Sequence, residues 1–544
     1  MGVFYREMTD IEIPLGKRTA QYRFFEILPG MISIGAIVAL FVLSIFVPFA
    51  AAILVLFIVI MMFVKVLALA FRTIQGYSVF KRTSKIDWTK RLADLKNPKE
   101  ALKQQFDKKE YSIQQHIMNM EHLVSDDCDC PTPDDILHAV FIFVYKESYD
   151  IVGPTLDCVL ASNYDPKKVI IVLAYEERGG EDALNTIKRA NAKFKGKFKD
   201  IVSYEHPKDI PGELIGKGPN ATWAGNQFAK YVKKRKINPD NVIVTMLDAD
   251  NRVDPNYLPY LTYEWIVTPN RQKVSFQPIC MFTNNIWDVP APMRVVATGN
   301  SFWNIISSMR PHLLRNFASH AQGLSALIGM DFLSKRTIVE DGHQYWRSYF
   351  FFDGDYEVIP LRIAIGHDAV LSDTYKKTLK AQFVQVRRWA YGASDIAYVA
   401  KNLLRKDRTA PFWKTFTRLW RLLDSHVTQA VIAPVIAFGA WVPLLLNPES
   451  SRILLVHELP LAIGTIQQIA MIGLFVTMFT SFAMLPPRPK RYKRRRSILM
   501  AAQWILMPVT SILYASSSAY YAQTRLLIGK YMEKFDFTEK FVKK

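Results

Sequence analysis

Apolar residues gather in this chain into long runs near its two ends and short runs in its middle. From Met31 to Phe71 the only charge is Lys65. One bilayer crossing needs about 20 apolar residues, and this stretch is roughly twice that. Val47-Pro48-Phe49 stands near its midpoint, where proline interrupts a helix. The pattern predicts a transmembrane hairpin over residues 30–72. Before it, residues 1–29 are of mixed polarity and carry no secretory signal pattern. Later stretches near His426–Leu446, Leu459–Leu485 and Ile498–Gln523 predict three more crossings within residues 425–525, followed by a tail, 526–544. Just ahead of them Phe412, Trp413, Phe416, Leu419, Trp420 and Leu423 recur at helical spacing, with Lys414, Arg418 and Arg421 between. Residues 396–424 are therefore expected to lie as amphipathic helices in the membrane interface.

The short runs have a different character. Ala139–Val144, Val169–Leu173 and Val242–Leu247 are rich in β-branched residues and do not alternate with polar ones. Such runs predict strands buried on both faces of a parallel sheet. Each is followed by acid: Glu147, Glu176 and Asp248. Ligands of open α/β sheets bind beyond the carboxyl ends of the strands, so three acids at that edge mark a candidate site. The expected fold is a Rossmann-like α/β domain over residues 135–395, joined to the hairpin by a polar helical connector, 73–134.

Charge refines this picture. The formal net charge is +20, which favours an anionic partner such as a nucleotide or anionic lipid. Much of the basic excess flanks the apolar stretches, which argues for membrane lipids and against nucleic acid. Lys17, Arg18 and Arg23 precede the hairpin and Arg72, Lys81, Arg82 and Lys85 follow it. Both of its ends, and the sheet domain after it, are expected in the cytoplasm of a multi-pass plasma-membrane protein. Seven of the ten residues in Arg488–Ser497 are Lys or Arg, which assigns that loop to the same side. Five crossings would then leave the tail outside, although Lys530–Lys544 is mildly basic. The alternative is that one stretch, such as the Pro508-containing last one, is re-entrant. Four cysteines without repeated CxxC spacing suit a reduced domain, and the Asp-Cys-Asp-Cys cluster at 127–130 is too small for structural zinc.

Candidate chemistry lies along the middle of the chain. Asp248-Ala249-Asp250 places two carboxylates, one residue apart, at a strand's end, where they can flank a hard cation. Glu340-Asp341 offers a carboxylate able to take a proton from an attacking hydroxyl. Gln385, Arg388 and Trp389 share one face of a helix, with a guanidinium for phosphate oxygens and an indole for a sugar ring. Gly216-Lys217-Gly218 allows a turn with an ammonium aimed at a phosphate, without the spacing of an ATPase loop.

In order and spacing, these motifs resemble the membrane-embedded members of glycosyltransferase family 2, which includes cellulose, chitin and hyaluronan synthases. The resemblance covers roughly residues 139–389. It implies a GT-A domain, a UDP-sugar donor, Mg²⁺ or Mn²⁺, and inversion at the anomeric carbon. It further implies Glu147, Glu176, Asp248 and Arg388 toward the nucleotide, where the turn also directs Lys217, and Asp248 and Asp250 on the metal. Asp341 would be the base, with Glu340, Gln385 and Trp389 toward the acceptor. Two stretches depart from the family. Ala174-Tyr175-Glu176-Glu177-Arg178 replaces its acidic turn after the second strand, and Ser319-His320-Ala321-Gln322-Gly323 replaces its small-residue acceptor loop.

Three functions remain in view: a polysaccharide synthase that also exports its product, a single-transfer enzyme acting on a lipid or lipid-linked acceptor, and a nucleotide-binding transporter or scaffold. For the last, Asp424 and His426 near a helix start are the candidate intramembrane groups.

Overall fold

The computed structural model describes residues 11–14, 16–125, 130–534, 536–537 and 540–541. Residues 127–129 of the Asp-Cys-Asp-Cys cluster and part of the tail therefore fall outside the described residues. Eight strands form one mixed sheet: β1 Leu137–Val144, β2 Val169–Glu176, β3 Asp200–His206, β4 Val242–Asp248, β5 Arg252–Val253, β6 Val274–Met281, β7 Ala321–Gly323 and β8 Glu357–Gly366. Their order is β3-β2-β1-β4-β7-β6-β8-β5. β1 to β4 run parallel, β7 is antiparallel to both β4 and β6, and β8 is parallel to β6. The expected α/β class is present, with long apolar helices at both ends of the chain.

The three apolar runs are indeed the central parallel strands, and each is buried along nearly its whole length. Alternation divides their side chains between two layers. Val140, Ile142 and Val144 of β1 face a core with Leu258, Leu261 and Trp265. Ala139, Phe141 and Phe143 face the other way, onto Ala221, Ala224 and Phe228 of helix Lys217–Lys234. Covered on both faces, the strands afford no room for alternating polar residues. The connector is also packed down, since Trp88 stacks on Tyr260 with ring centroids 3.8 Å apart.

The hairpin breaks at Val47 as expected, into helices Ala20–Phe46 and Pro48–Thr83, the second running past residue 72. Among the described residues, four helices are long and apolar enough to cross a membrane: these two, Leu454–Met484 and Arg495–Leu527. Their exposed residues, including Phe57, Val64 and Phe479, form an outer surface suited to lipid rather than water.

Contacts assign the ends of these helices to two levels. Helix Phe412–Phe438 starts against the sheet domain, where Lys414 donates to the Gly354 carbonyl. It continues along the hairpin, where Lys65 pairs with Asp424 at 3.5 Å, until Gly439 meets Val55. A Cβ at Gly439 would stand 2.5 Å from the Val435 carbonyl of its own helix and 3.2 Å from Val55, so glycine suits this helix end. Beyond it, Asn447 donates to the Ile45 carbonyl at the hairpin tip. The expected interfacial helix and the first half of the next crossing are thus one helix that runs from the domain to the far level. Leu454–Met484 returns, because Trp287 of the sheet domain donates to the Pro486 carbonyl and Arg491 pairs with Asp288 at 2.7 Å.

Both ends of the last apolar stretch contact the sheet domain's side of the helices. It begins beside the domain, where Arg294 donates to Gln503, and ends where Arg23 donates to the carbonyls of Leu526 and Leu527. Both ends lie at the level of the domain, and its interior is interrupted by a 3₁₀ turn at Gln503–Leu506 and a π-helical segment at Ser511–Ser516. These contacts are compatible with the re-entrant alternative. Cysteines placed at Lys490 and at Glu449 should react with a membrane-impermeant maleimide from opposite faces; reaction from one face only would contradict this path.

Candidate functional site

A buried lysine organises the carboxyl edge of the sheet. Lys217 opens its helix after Gly216, and its ammonium lies 2.9 Å from Asp248 and 3.0 Å from Asp341. Gly218 makes this approach possible: a Cβ there would stand 2.2 Å from the Ser334 carbonyl, just ahead of the Glu340-Asp341 helix start. Burial opposes the lysine's charge, but Asp248, Asp341 and Glu340 together hold its pKa above the ordinary value. For Asp248 burial likewise acts against ionisation and is outweighed by Lys217, Lys540 and His367, so its pKa is lowered.

Asp250 is 2 % exposed and follows the turn at the end of β4. It accepts the backbone N–H of Asp368 at 2.9 Å and pairs with the Lys540 ammonium. The loop is braced by Asn251, whose side chain receives the Asp248 N–H at 2.9 Å and the Ser319 hydroxyl at 2.7 Å. His367 completes the brace, 3.1 Å from Asn251 and 3.2 Å from Ser319. Burial lowers the pKa of His367 despite the nearby aspartates, so the ring is neutral and suited to this bridging role.

Glu340 is buried beside Asp341, and burial plus that neighbouring charge push its pKa up to about 8. At neutral pH it is mostly protonated and can donate a hydrogen bond. Arg388 faces Glu340, Asp248 and Asp341; burial lowers its pKa, while these carboxylates oppose the shift. His320 stands 3.8 Å from Asp341.

Of the residues singled out from the sequence, Lys217, Asp248 and Asp341 meet directly, and Glu340 and Arg388 lie within electrostatic reach of them. Asp250 adjoins them. Glu147 curls back so that its carboxylate accepts the N–H groups of Tyr145 and Lys146, and it remains close enough to Lys540 to feel its charge. The other three are engaged elsewhere. Glu176 pairs with Arg178 and His206 at the outer part of the sheet, Gln385 accepts from Gln382, and Trp389 packs on Phe282 with centroids 6.1 Å apart. Sequence reasoning missed Asn251, Ser319, His320, His367, Asp368 and Lys540. His367-Asp368 had a signal, because this pair follows β8 as the other acids follow their strands. Among the described residues, no group of three or more His, Cys, Asp or Glu is set as a metal cage.

The chain matches no protein-family model and no curated protein sequence. Among solved structures it is similar to the mannosyltransferase PcManGT from Pyrobaculum calidifontis in complex with GDP-Man and Mn²⁺, at 12% identity and TM-score 0.40, over 86% of this chain and 99% of that one. It is also similar to residues 1–349 of S. aureus TarS in complex with UDP-GlcNAc, at 12% identity and TM-score 0.32, over 73% and 93%. GalNAc-T7 with UDP, GalNAc and Mn²⁺ aligns at 12% identity and TM-score 0.31, over 54% and 58%. The residues of the site, not these likenesses, carry the functional reading.

One element of the edge has a readable pH dependence. His206 lies between Glu176 and Glu213, 3.1 and 3.0 Å away. Burial works against its charge, but the two carboxylates outweigh it and raise the pKa from 6.5 to about 9. The folded-state value lies above the unfolded one, so the stabilisation is complete below about pH 6.5 and is lost as pH rises through about 9, for a contribution on the order of 3 kcal/mol. The stability gap between wild type and His206→Asn should therefore be constant in mild acid and shrink through this window; a gap independent of pH would contradict the ion triad.

Proposed function

We propose that the chain is a membrane-embedded glycosyltransferase that moves a sugar, with inversion, from a nucleotide-sugar donor to a glycan or lipid-linked acceptor. The observation that carries this reading is the single buried ammonium of Lys217 held between Asp248 and Asp341. It joins a carboxylate suited to the donor side and one suited to the acceptor side through a cation that matches diphosphate oxygens.

In this reading Asp248 and Asp250 hold Mg²⁺ or Mn²⁺. The residues fit such an ion. A cation, the Lys540 ammonium, already lies on Asp250, and diphosphate oxygens would add to the two protein carboxylates, so no larger protein cage is required. When bound, the ion would supply neutralisation of the departing diphosphate. Lys217 and Arg388 hold the diphosphate from the other side. As Lys217 turns toward phosphate, Asp341 loses its ion-pair partner and becomes a better base. It takes the acceptor hydroxyl's proton while that oxygen bonds to the anomeric carbon, and the bond from that carbon to the diphosphate oxygen breaks. Protonated Glu340 beside it can donate to an acceptor oxygen.

Orientation follows from charge. The basic residues Lys17, Arg23, Lys81 and the Arg488–Ser497 stretch all belong to the domain's level, and this bias assigns that level to the cytoplasm of the plasma membrane, where nucleotide sugars are present.

Asp341→Asn should keep nucleotide-sugar binding and lose transfer by about 10² to 10⁴-fold, whereas Asp250→Asn should lose metal-dependent nucleotide binding as well. Equal loss of binding in both variants would reassign Asp341 to the donor site. Product length at matched sugar incorporation tests the acceptor: long chains identify a polymerase, and a single sugar extracted with lipid identifies a single-transfer enzyme.

A further inference from the structure

The described residues after Leu527 return to the sheet's carboxyl edge and enter the site. Gly529 takes φ +71°, a left-handed conformation that turns the chain. Met532 donates its N–H to the Tyr391 hydroxyl, and Lys534 forms a parallel bridge with Ile215, two residues before Lys217. Asp536 receives the Arg387 guanidinium, while its carbonyl accepts from Arg388 at 3.4 Å. Phe537 lies edge-on to Tyr145, with centroids 5.3 Å apart, at the end of β1. Finally the Lys540 ammonium reaches Asp250. Asp248, Glu147 and Asp368 are its other anionic neighbours.

Three features set these contacts apart from chance packing of a tail. They alternate in charge along the site, with an anion on Arg387, next to Arg388, and a cation on Asp250. The ammonium is largely withdrawn from water, at 20% side-chain exposure against 3% for Asp250, and such a charge is tolerated only beside partners. The place it takes is the one that Asp250 would offer to a divalent cation.

We infer that the described residues 529–534, 536–537 and 540–541 form a tethered occupant of the donor site: the Lys540 ammonium stands where the divalent cation binds, Asp536 engages Arg387 beside the guanidinium meant for diphosphate, and the seated segment and the cation-loaded donor exclude each other. This rests on the reading of Asp250 as a metal ligand. The enzyme is then held in a resting state by its own chain, and nucleotide sugar with its cation must displace the segment before transfer. A tether supplies its occupant at an effective concentration near millimolar, so a weak contact suffices to compete.

The test uses the full chain in detergent, with Mn²⁺ binding read by electron paramagnetic resonance and hydrogen exchange read over 529–541. If the segment is seated about nine-tenths of the time, freeing the site should tighten Mn²⁺ binding roughly tenfold. Lys540→Gln should show this gain. Asp536→Asn combined with Phe537→Ala should show it too, although that variant leaves every charge at the cation position unchanged. In wild type, Mn²⁺ with UDP should speed exchange across the segment. Unchanged Mn²⁺ affinity in both variants, or slower exchange when Mn²⁺ and UDP bind, would overturn the inference; the second result would mean that the segment closes over the donor. Asp250→Asn separates the two levels. If it alone loses Mn²⁺, the metal reading stands without the competing segment; if it binds Mn²⁺ like wild type, both fall.

Discussion

One buried ammonium holds the active edge of this protein together. Lys217 lies between Asp248 and Asp341, and its loss would leave two neighbouring carboxylates without their shared cation. Its position needs the whole scaffold. β4 delivers Asp248, the close approach allowed by Gly218 lets the helix start reach the Glu340-Asp341 segment, and that segment's helix packs into the core shared with the membrane helices. A sheet shift of one residue would point Asp248 elsewhere, since successive side chains of a strand face opposite ways. In the proposed reaction the same ammonium would couple donor and acceptor sides, because a phosphate that attracts Lys217 would release Asp341.

The membrane helices do more than anchor this domain. Arg23, at the start of the first helix, holds the carbonyls of Leu526 and Leu527 at the end of the last, and Tyr531 donates to Glu26 on that first helix. The described residues after this junction lead back to the carboxyl edge of the sheet, where Lys540 meets Asp250.

How much of this the sequence revealed depended on the range of the interaction concerned. β1, β2 and β4 were legible because burial on both faces forces continuous β-branched runs. β7 was not, since three residues acquire strand character only by pairing with β4 and β6, and β5 is a two-residue pairing with the end of β8. β6 carries Gln277 and Pro278 inside it, and a register shift after Pro278 accommodates them. Asp248, Asp250 and Asp341 announced themselves by local acid spacing. His320, His367 and Lys540 did not, since what places them beside the aspartates is tertiary path. The hairpin break at Val47-Pro48 was local and legible, whereas the fate of the last apolar stretch depended on Arg294 and Arg23, far apart in sequence.

The central claim is that this edge transfers a sugar from a nucleotide. The most direct measurement is release of UDP or GDP from a panel of nucleotide sugars by the purified full-length protein, with Mn²⁺ or Mg²⁺ and with chelator. The account predicts that one donor is consumed, with the diphosphate released in step with sugar incorporation into membrane-extracted acceptor, and that chelator stops both. Binding of nucleotide with no turnover of any donor, in the presence of metal and native membranes, would contradict it.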